Sequence, residues 1–579
     1  MAGTARSVVG HGFRLSWIEL GRLGEVVWEG FPGGLVSFPT VGVHGEFGLG
    51  WSSGWMKERS QGGRPASSAI SPISGDSNAW EKRQTDIRTC KPLKEKKMKK
   101  YKMTTPIPKN LTAPDSVKTS IGTLEYFDGV PKKATVKAAY DFLDRSRAVE
   151  AFMNCIPAMS MNSLREGQAN VGAVKCNEIC IWDTLMDSTS VLLTGNTSTM
   201  YAVGFLNLEK DGPTVVDLPK GMLGILDDMN FIYMTDLGVA GPDKGKGGKF
   251  LVLPPGYEGD VPDGYYVVPS KTSGVWVFMR GYLDKGIKAA SENIRNNLKV
   301  YPLAKVSKPP KMKFINVSGK PMTVVLPNDY SFYEKLHALI QGEPEDYLGP
   351  DIKGQLAAIG IKKGEPFAPD ARMKRILKDA AAIGNAAARS ISYFPRDPGN
   401  LTYGEKSAWV TAYANHDTTF TKNGARNMDA RVLFHFGYIC VSPAMAVTIP
   451  GKGSDYSMAM VDSKQRPLDG SKTYKLNMPA NIPVKDFWAL TMYDTQTRSQ
   501  LQTDQQFPTL DSYREGLEEN PDGSMDIYFA PEPPKGKESN WLQTIPGKSW
   551  FVALRMYGPL QPWIDQSWRP SELELVRKK

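Results

Sequence analysis

Apolar and polar residues alternate through three runs near the carboxyl end: DFWALTMYD (Asp486–Asp494), MDIYFAP (Met525–Pro531) and SWFVALRMYGP (Ser549–Pro559). A period of two is that of a strand. In the last run Trp550, Val552, Leu554 and Met556 fall on one face, and Phe551, Ala553, Arg555 and Tyr557 on the other. Both faces carry bulky groups, which predicts central strands covered on two sides. PDGS (Pro521–Ser524) reads as a turn, because proline presets one dihedral and glycine accepts positive φ.

Upstream the period changes. Lys132 to Leu164 reads as a helix with apolar positions at Tyr140, Phe142, Leu143, Val149 and Phe152, kinked or ended by Pro157. From Ile179, short apolar runs such as TMYAVGFLNL, KFLVLPP and VWVFMRGY alternate with Gly/Pro/Asp-rich links, which predicts a sandwich or barrel. Helices are predicted near Tyr282–Tyr301 and Ser331–Gln341, then a short one in DIKGQLAAIG and a long one in PDARMKRILKDAAAIGNAAARSI. Asp370 caps the long helix, whose stripe of Met373, Ile376, Leu377, Ala380 and Ile383 suits close packing on a sheet. Strands return from Trp409 with RVLFHFGYICV, DYSMAMVDS and TYKLNMP.

The pattern predicts a mainly β chain of α+β class. It places two sandwich-like domains at 116–330 and 396–579, with a helical insert at 331–395. Residues 1–102 lack sustained periodicity and read as a disordered basic extension, with Met103 as an alternative start.

Composition adds limits. The chain has 579 residues, 41% hydrophobic and 23% charged, as in ordinary globular proteins. Its net charge of +10 is concentrated in residues 1–102, where 16 Lys/Arg face 9 Asp/Glu. KPLKEKKMKKYK (Lys91–Lys102) reads as a solvated tail. The body has no basic stripe with interleaved aromatics, so nucleic acid is not an expected partner. No stretch reaches the ~18 uncharged apolar residues of a membrane helix. Five cysteines are an odd number in a long chain, which fits a reducing, cytoplasmic compartment rather than a disulfide framework.

Motifs for cofactors are weak. GPDKGKGGKF (Gly241–Phe250) lacks the spacing of a phosphate loop and reads as a tight hairpin. Cys176 and Cys180 (CNEIC) lack a second pair and read as buried thiols rather than zinc ligands. The sequence names no cofactor and no metal site.

Titratable candidates are few. His416, beside Asp417 in YANHDTTF, lies in a polar loop where a base can work. His435 in RVLFHFGY reads as a structural histidine on a strand, with a base or metal ligand as the alternative. Arg431 and Asp429, and Arg555 and Asp494, are charges inside apolar runs. They read either as ion pairs, Arg555 with Asp494, or as anchors for a carboxylate or sulfate in a cavity between sheets.

Longer strings carry a resemblance. RAVEAFMNCIPAMSMNSLREG, LLTGNTSTMYAVGFLNLEKDGPTVVDLP and GPDKGKGGKFLVLPPGYEGDVPDGYYVV resemble domain-of-unknown-function family 1254. PLDGSKTYKLNMPANIPVKDFWALTMYDTQTR, NPDGSMDIYFAP and SNWLQTIPGKSWFVALRMYGP resemble family 1214. The likeness spans Ser116 to Leu575 and implies a β-rich protein with a jelly-roll-like carboxyl-terminal sandwich. It implies no activity. Where relatives read like TPNTDTLY, this chain reads TGNTSTMY (Thr194–Tyr201), so Gly195 stands for proline and Ser198 for aspartate. Asn196, Thr199 and Tyr201 remain as hydrogen-bonding groups.

Function is therefore expected to be binding of a small organic or amphiphilic ligand in a sandwich cavity, with Asn196, Thr199, Arg431, Arg555 and Asp494 as contacts. The alternatives are a hydrolase using His416, His435 and Tyr201, or a structural role; a homo-oligomer is compatible with either. Because residues 1–102 offer no amphipathic element to dock, a chain starting at Met103 is expected to melt at an unchanged temperature. A drop of several degrees in a thermal melt would show that the segment packs on the body.

Overall fold

Two-sided strands fold only where each face finds a cover. In the computed structural model, which describes residues 7–10, 13–20, 23–29 and 101–577, that cover comes from two sandwiches and a helical layer between them. The amino-terminal sandwich uses β1 (Glu178–Ile181), β2 (Met200–Asn207), β3 (Thr214–Leu218), β4 (Met222–Asp228), β5 (Tyr233–Gly238), β6 (Gly248–Leu253), β7 (Tyr266–Pro269), β8 (Gly274–Gly281), β9 (Lys299–Pro302) and β10 (Lys313–Asn316). Six form a sheet in the order β5-β4-β8-β2-β1-β10, and four form a second in the order β7-β6-β3-β9. One core joins their facing residues, including Ile181, Ala202, Val216, Phe250, Val277 and Met279.

The carboxyl-terminal sandwich uses β11 (Trp409–Val410), β12 (Ser454–Ala459), β13 (Tyr474–Met478), β14 (Val484–Asp494), β15 (Thr509–Asp511), β16 (Met525–Ala530), β17 (Trp541–Gln543), β18 (Trp550–Pro559) and β19 (Glu574–Leu575). Its sheets run β11-β12-β18-β14-β15 and β17-β16-β13-β19. Trp550 stacks on Phe529 at 4.9 Å and meets Tyr474 edge-on at 5.8 Å, tying sheet to sheet.

The helices α1 (Lys133–Asn170), α2 (Gly286–Asn297), α3 (Ser331–Gly342), α4 (Pro350–Ala358), α5 (Ala371–Tyr393) and α6 (Met428–Gly437) complete the body. All but α2 feed a third core. It receives Phe152, Phe332, Leu356, Leu377 and Phe434 from helices, Trp276 and Phe278 from the six-stranded sheet, and Phe551 and Ala553 from the five-stranded one. Each of these sheets is thus buried on both faces. Among the described residues no helix is long and apolar enough to cross a membrane.

Several expectations are corrected. RVLFHFGYICV is not a strand: Asn427 caps α6 by accepting the Ala430 N–H, and the run is apolar because the helix is buried nearly all round. Pro157 does not end α1, which continues to Asn170 with both flanks of the proline buried. Tyr140, Phe142 and Leu143 are exposed on its first turns. Asp370 does cap α5, but the helix packs on α1 rather than on a sheet, and Ile383 faces solvent. GPDKGKGGKF is not a hairpin, since β5 and β6 lie in different sheets; buried Asp243 holds the crossing by accepting the Gly238 and Gly247 N–H groups.

A separate unit, Met1–Thr105, contains an antiparallel meander of Ser7–Gly10, Phe13–Leu20 and Leu23–Glu29, where the sequence reading placed no regular structure. The remainder of that reading, disorder included, lies outside the described residues.

The α1–α5 crossing depends on Gly384, where a Cβ would stand 2.6 Å from the Phe152 ring. Gly384→Val is expected to cost about 1–3 kcal/mol by overpacking. Gly354→Ala, at an exposed position of α4 with open space around it, should instead gain up to about 1 kcal/mol. Urea melts of the two variants should move in opposite directions.

Candidate functional site

Alternation on the two-sided sheets sends one arginine from each sandwich into the central layer. On β8, Val275, Val277 and Met279 enter the amino-terminal sandwich core, so Trp276, Phe278 and Arg280 point the other way. On β18, Val552, Leu554 and Met556 enter the carboxyl-terminal core, and Phe551, Ala553 and Arg555 point the other way. Each arginine has a tyrosine as its cross-strand neighbour, Arg280 opposite Tyr201 on β2 and Arg555 opposite Tyr456 on β12. These four line a chamber of about 50 Å³, closed by Tyr413, Tyr438 and Cys440. Past Phe278, Arg280 and Met445 it adjoins an outer vestibule of about 330 Å³.

Both arginines are 6% exposed, and among the described residues neither forms an ion pair with a carboxylate. Nη2 of Arg555 donates to the Thr194 carbonyl (2.7 Å) and the Tyr493 hydroxyl (2.6 Å), and the guanidinium lies 4.9 Å from the centre of the Tyr456 ring. Arg280 has less: Nη2 is 3.6 Å from the Met445 sulfur, and the Phe278 ring centre is 5.7 Å away. Among the described residues the Nε groups of both arginines and the Tyr438 hydroxyl have no hydrogen-bond partner. Burial alone would lower the arginine pKa values, but the surrounding phenols raise them, Tyr456 first for Arg280 and Tyr493 first for Arg555. Burial also raises the pKa values of Tyr201, Tyr413, Tyr438 and Cys440. At neutral pH those four groups keep their protons, so the chamber offers donors and two fixed positive charges.

Two buried acids lie near, and the Arg280 charge lowers the Asp236 pKa against the rise that burial causes. Asp227 accepts one bond, from the Val441 N–H at 3.1 Å, and burial drives its pKa well up. Asp236 is committed to the Ser442 hydroxyl (2.6 Å) and the Tyr233 hydroxyl (3.1 Å), and burial raises its pKa too.

Of the residues singled out from the sequence, Tyr201, Asn196 and Arg555 line the chamber. Thr199 stands behind it: the Asn196 Oδ1 accepts the Ser198 N–H, the Thr199 N–H and the Thr199 hydroxyl, which fixes the loop. Tyr493 links that loop to Arg555 by donating to the Gly195 carbonyl at 3.0 Å. A Cβ at Gly195 would lie 2.5 Å from the Met186 sulfur, so a larger residue there requires Met186 to shift.

The others lie elsewhere. Asp494 is not the partner of Arg555; it pairs with Lys548 and accepts the Gln496 N–H, because it ends β14 at a turn rather than facing the central layer. Arg431, on α6, donates from Nη1 to the Asn154 carbonyl at 3.0 Å, and Asp429 pairs with Arg396 at 2.8 Å. His416 sits in a turn at φ 58° and donates from Nδ1 to the Ala446 carbonyl. His435, on α6 rather than a strand, donates from Nδ1 to the Arg431 carbonyl and packs against Phe231 and Phe420. Neither histidine lines the chamber. Sequence reasoning missed Arg280, Tyr438, Cys440 and Tyr456. The signal for Arg280 was available, since VWVFMRGY carries an arginine in an apolar run just as SWFVALRMYG does.

Burial, followed by the nearby Arg431 charge, lowers the His435 pKa from 6.5 to about 3. The unfolded chain then takes a proton near 6.5 that the folded chain refuses, so this contribution to stability is complete above that pH and is lost as pH falls towards 3. Glu343 works the other way: burial raises its pKa from 4.5 to about 7, so the folded state gains as pH falls from 7 to 4.5. The stability difference between wild type and His435→Leu isolates the first effect. It should shift against the wild type by up to about 1.4 kcal/mol per pH unit below 6.5, measured by urea melts across that range.

Residues 176–302 match the family described as "Protein of unknown function (DUF1254)". Residues 453–561 match "Protein of unknown function (DUF1214)". None of the curated proteins matches the chain. Two solved structures are similar in outline. One, of a protein from Vibrio parahaemolyticus, has 18% identity and TM-score 0.44, and the likeness covers 75% of this chain and 100% of that one. The other, of an uncharacterised protein from Burkholderia cenocepacia, has 12% identity and TM-score 0.35, covering 77% of this chain and 97% of that one. The two modules stand in the order expected from their residues: the chain carries a match to domain of unknown function 1254 followed by a match to domain of unknown function 1214.

Proposed function

We propose that the protein binds a small organic anion in the chamber between its two sandwiches, with Arg280 and Arg555 as the recognition pair. The observation that carries this is the burial of two guanidinium groups, neither of which forms an ion pair with a carboxylate among the described residues. Holding one uncompensated charge away from water costs of the order of several kcal/mol. A single bound carboxylate or sulfate would offset both costs at once and supply acceptors for the orphaned Nε groups and the Tyr438 hydroxyl. Asn196 and Tyr201 complete the lining.

Binding is favoured over hydrolysis by the character of that lining. Tyr201, Tyr413, Tyr438 and Cys440 are all pushed towards their protonated forms, and the two nominated histidines lie outside the chamber. The groups that remain are suited to holding an anion and unsuited to taking a proton from water.

Thermal melts with butanoate tested against butanol check the reading. At a hundredfold excess over Kd the acid should stabilise by about 2.7 kcal/mol, and the alcohol should do nothing. Arg280→Met, which removes a guanidinium bonded only to a methionine sulfur, should leave the unliganded melt unchanged or raised and abolish the shift. An equal shift in wild type and Arg280→Met would defeat the proposal.

A further inference from the structure

We infer that the ligand is an amphiphile, with its anionic head between Arg280 and Arg555 and an unbranched apolar tail running outwards through the vestibule. This rests on the anion-binding reading and adds the second half of the molecule. The chamber itself is small. At about 50 Å³ it has room for a carboxylate or sulfate group and little more.

The vestibule has a different character. Its volume of about 330 Å³ lies at the lower end of the range for ligand pockets. Leu223, Ile225, Val239, Val447 and Ile449 give it apolar walls. Val239, Val447 and Ile449 are 54%, 53% and 50% exposed, an apolar patch left facing water at its mouth. Lys452 and the carboxylate of Asp236 are also in the lining. The two compartments share Phe278, Arg280 and Met445. The shared residues form the neck, so a molecule that fills both must turn from cationic to apolar surroundings there. Met445 suits a neck: it is unbranched and adaptable, and it meets Arg280 only by a weak sulfur contact at 3.6 Å. A head group smaller than a phenyl ring with a narrow chain behind it fits that sequence of spaces.

Calorimetric titration with butanoate, hexanoate, octanoate, octyl sulfate and octanol tests the assignment. Affinity should rise about fourfold for each methylene added between butanoate and octanoate. Octyl sulfate should bind alongside octanoate, since both carry the head, and octanol should not. Val447→Ser/Ile449→Ser, at positions exposed enough to leave folding intact, should flatten the rise with chain length while butanoate binds as before. Butanoate and octanoate binding equally, with Arg280→Met abolishing both, would overturn the amphiphile and leave the anion site standing. Octanol binding as well as octanoate would overturn the role of the charged head. Failure of every acid and of octyl sulfate to bind would overturn the anion site itself, and the inference with it.

Discussion

A strand with bulky groups on both faces must be covered twice, and β8, β14 and β18 are such strands. Each sandwich core covers one side. The other side is covered by a layer that neither sandwich owns, assembled from α1, α3, α4, α5 and α6. Burial of apolar area is what closes this layer, and its closure decides where every central residue points. Once Val277 and Leu554 are committed to their sandwiches, Arg280 and Arg555 have nowhere to go but the interior between them.

That placement is unfavourable in isolation, and the surroundings only partly relieve it. Tyr456 and Phe278 offer ring faces, Thr194 a carbonyl and Tyr493 a hydroxyl. A ring face is worth about 2 kcal/mol or somewhat more when desolvated, against several kcal/mol for burying a charge. The contrast with Arg498 is instructive. It is more fully buried, donates to the carbonyls of Phe436 and Gln496, lies 4.0 Å from the centre of the Phe436 ring, and keeps an Nη2 without a partner among the described residues, outside the linings of the chamber and the vestibule. Arg498 lies outside the chamber, whereas Arg280 and Arg555 line it.

Much of the sandwich architecture was legible because period two is a local property. The faces of β18 came directly from alternation, including the side on which Arg555 sits. The helical layer was less legible. RVLFHFGYICV is apolar at every turn because α6 is buried on all sides, and such a run has no period to distinguish helix from strand. The mistake about α6 misplaced His435 and Arg431 with it. The partner of Arg555 was beyond reach for another reason: pairing depends on which strand ends face the central layer, and Asp494 terminates β14 at a turn. Alternation gives the face of a residue and not its neighbours across a gap. Arg280 needed no structure at all, only the same attention to a charge in an apolar run.

The shared layer has a consequence for inheritance. A chain divided between Pro302 and Gly453 would leave two fragments, each with one sheet bare on a face meant to be covered and each carrying one arginine of the pair. Each would show water an apolar surface prone to association. The two modules are therefore separable in sequence but not in structure: a gene encoding one without the other would encode half of a core and one of its two buried arginines.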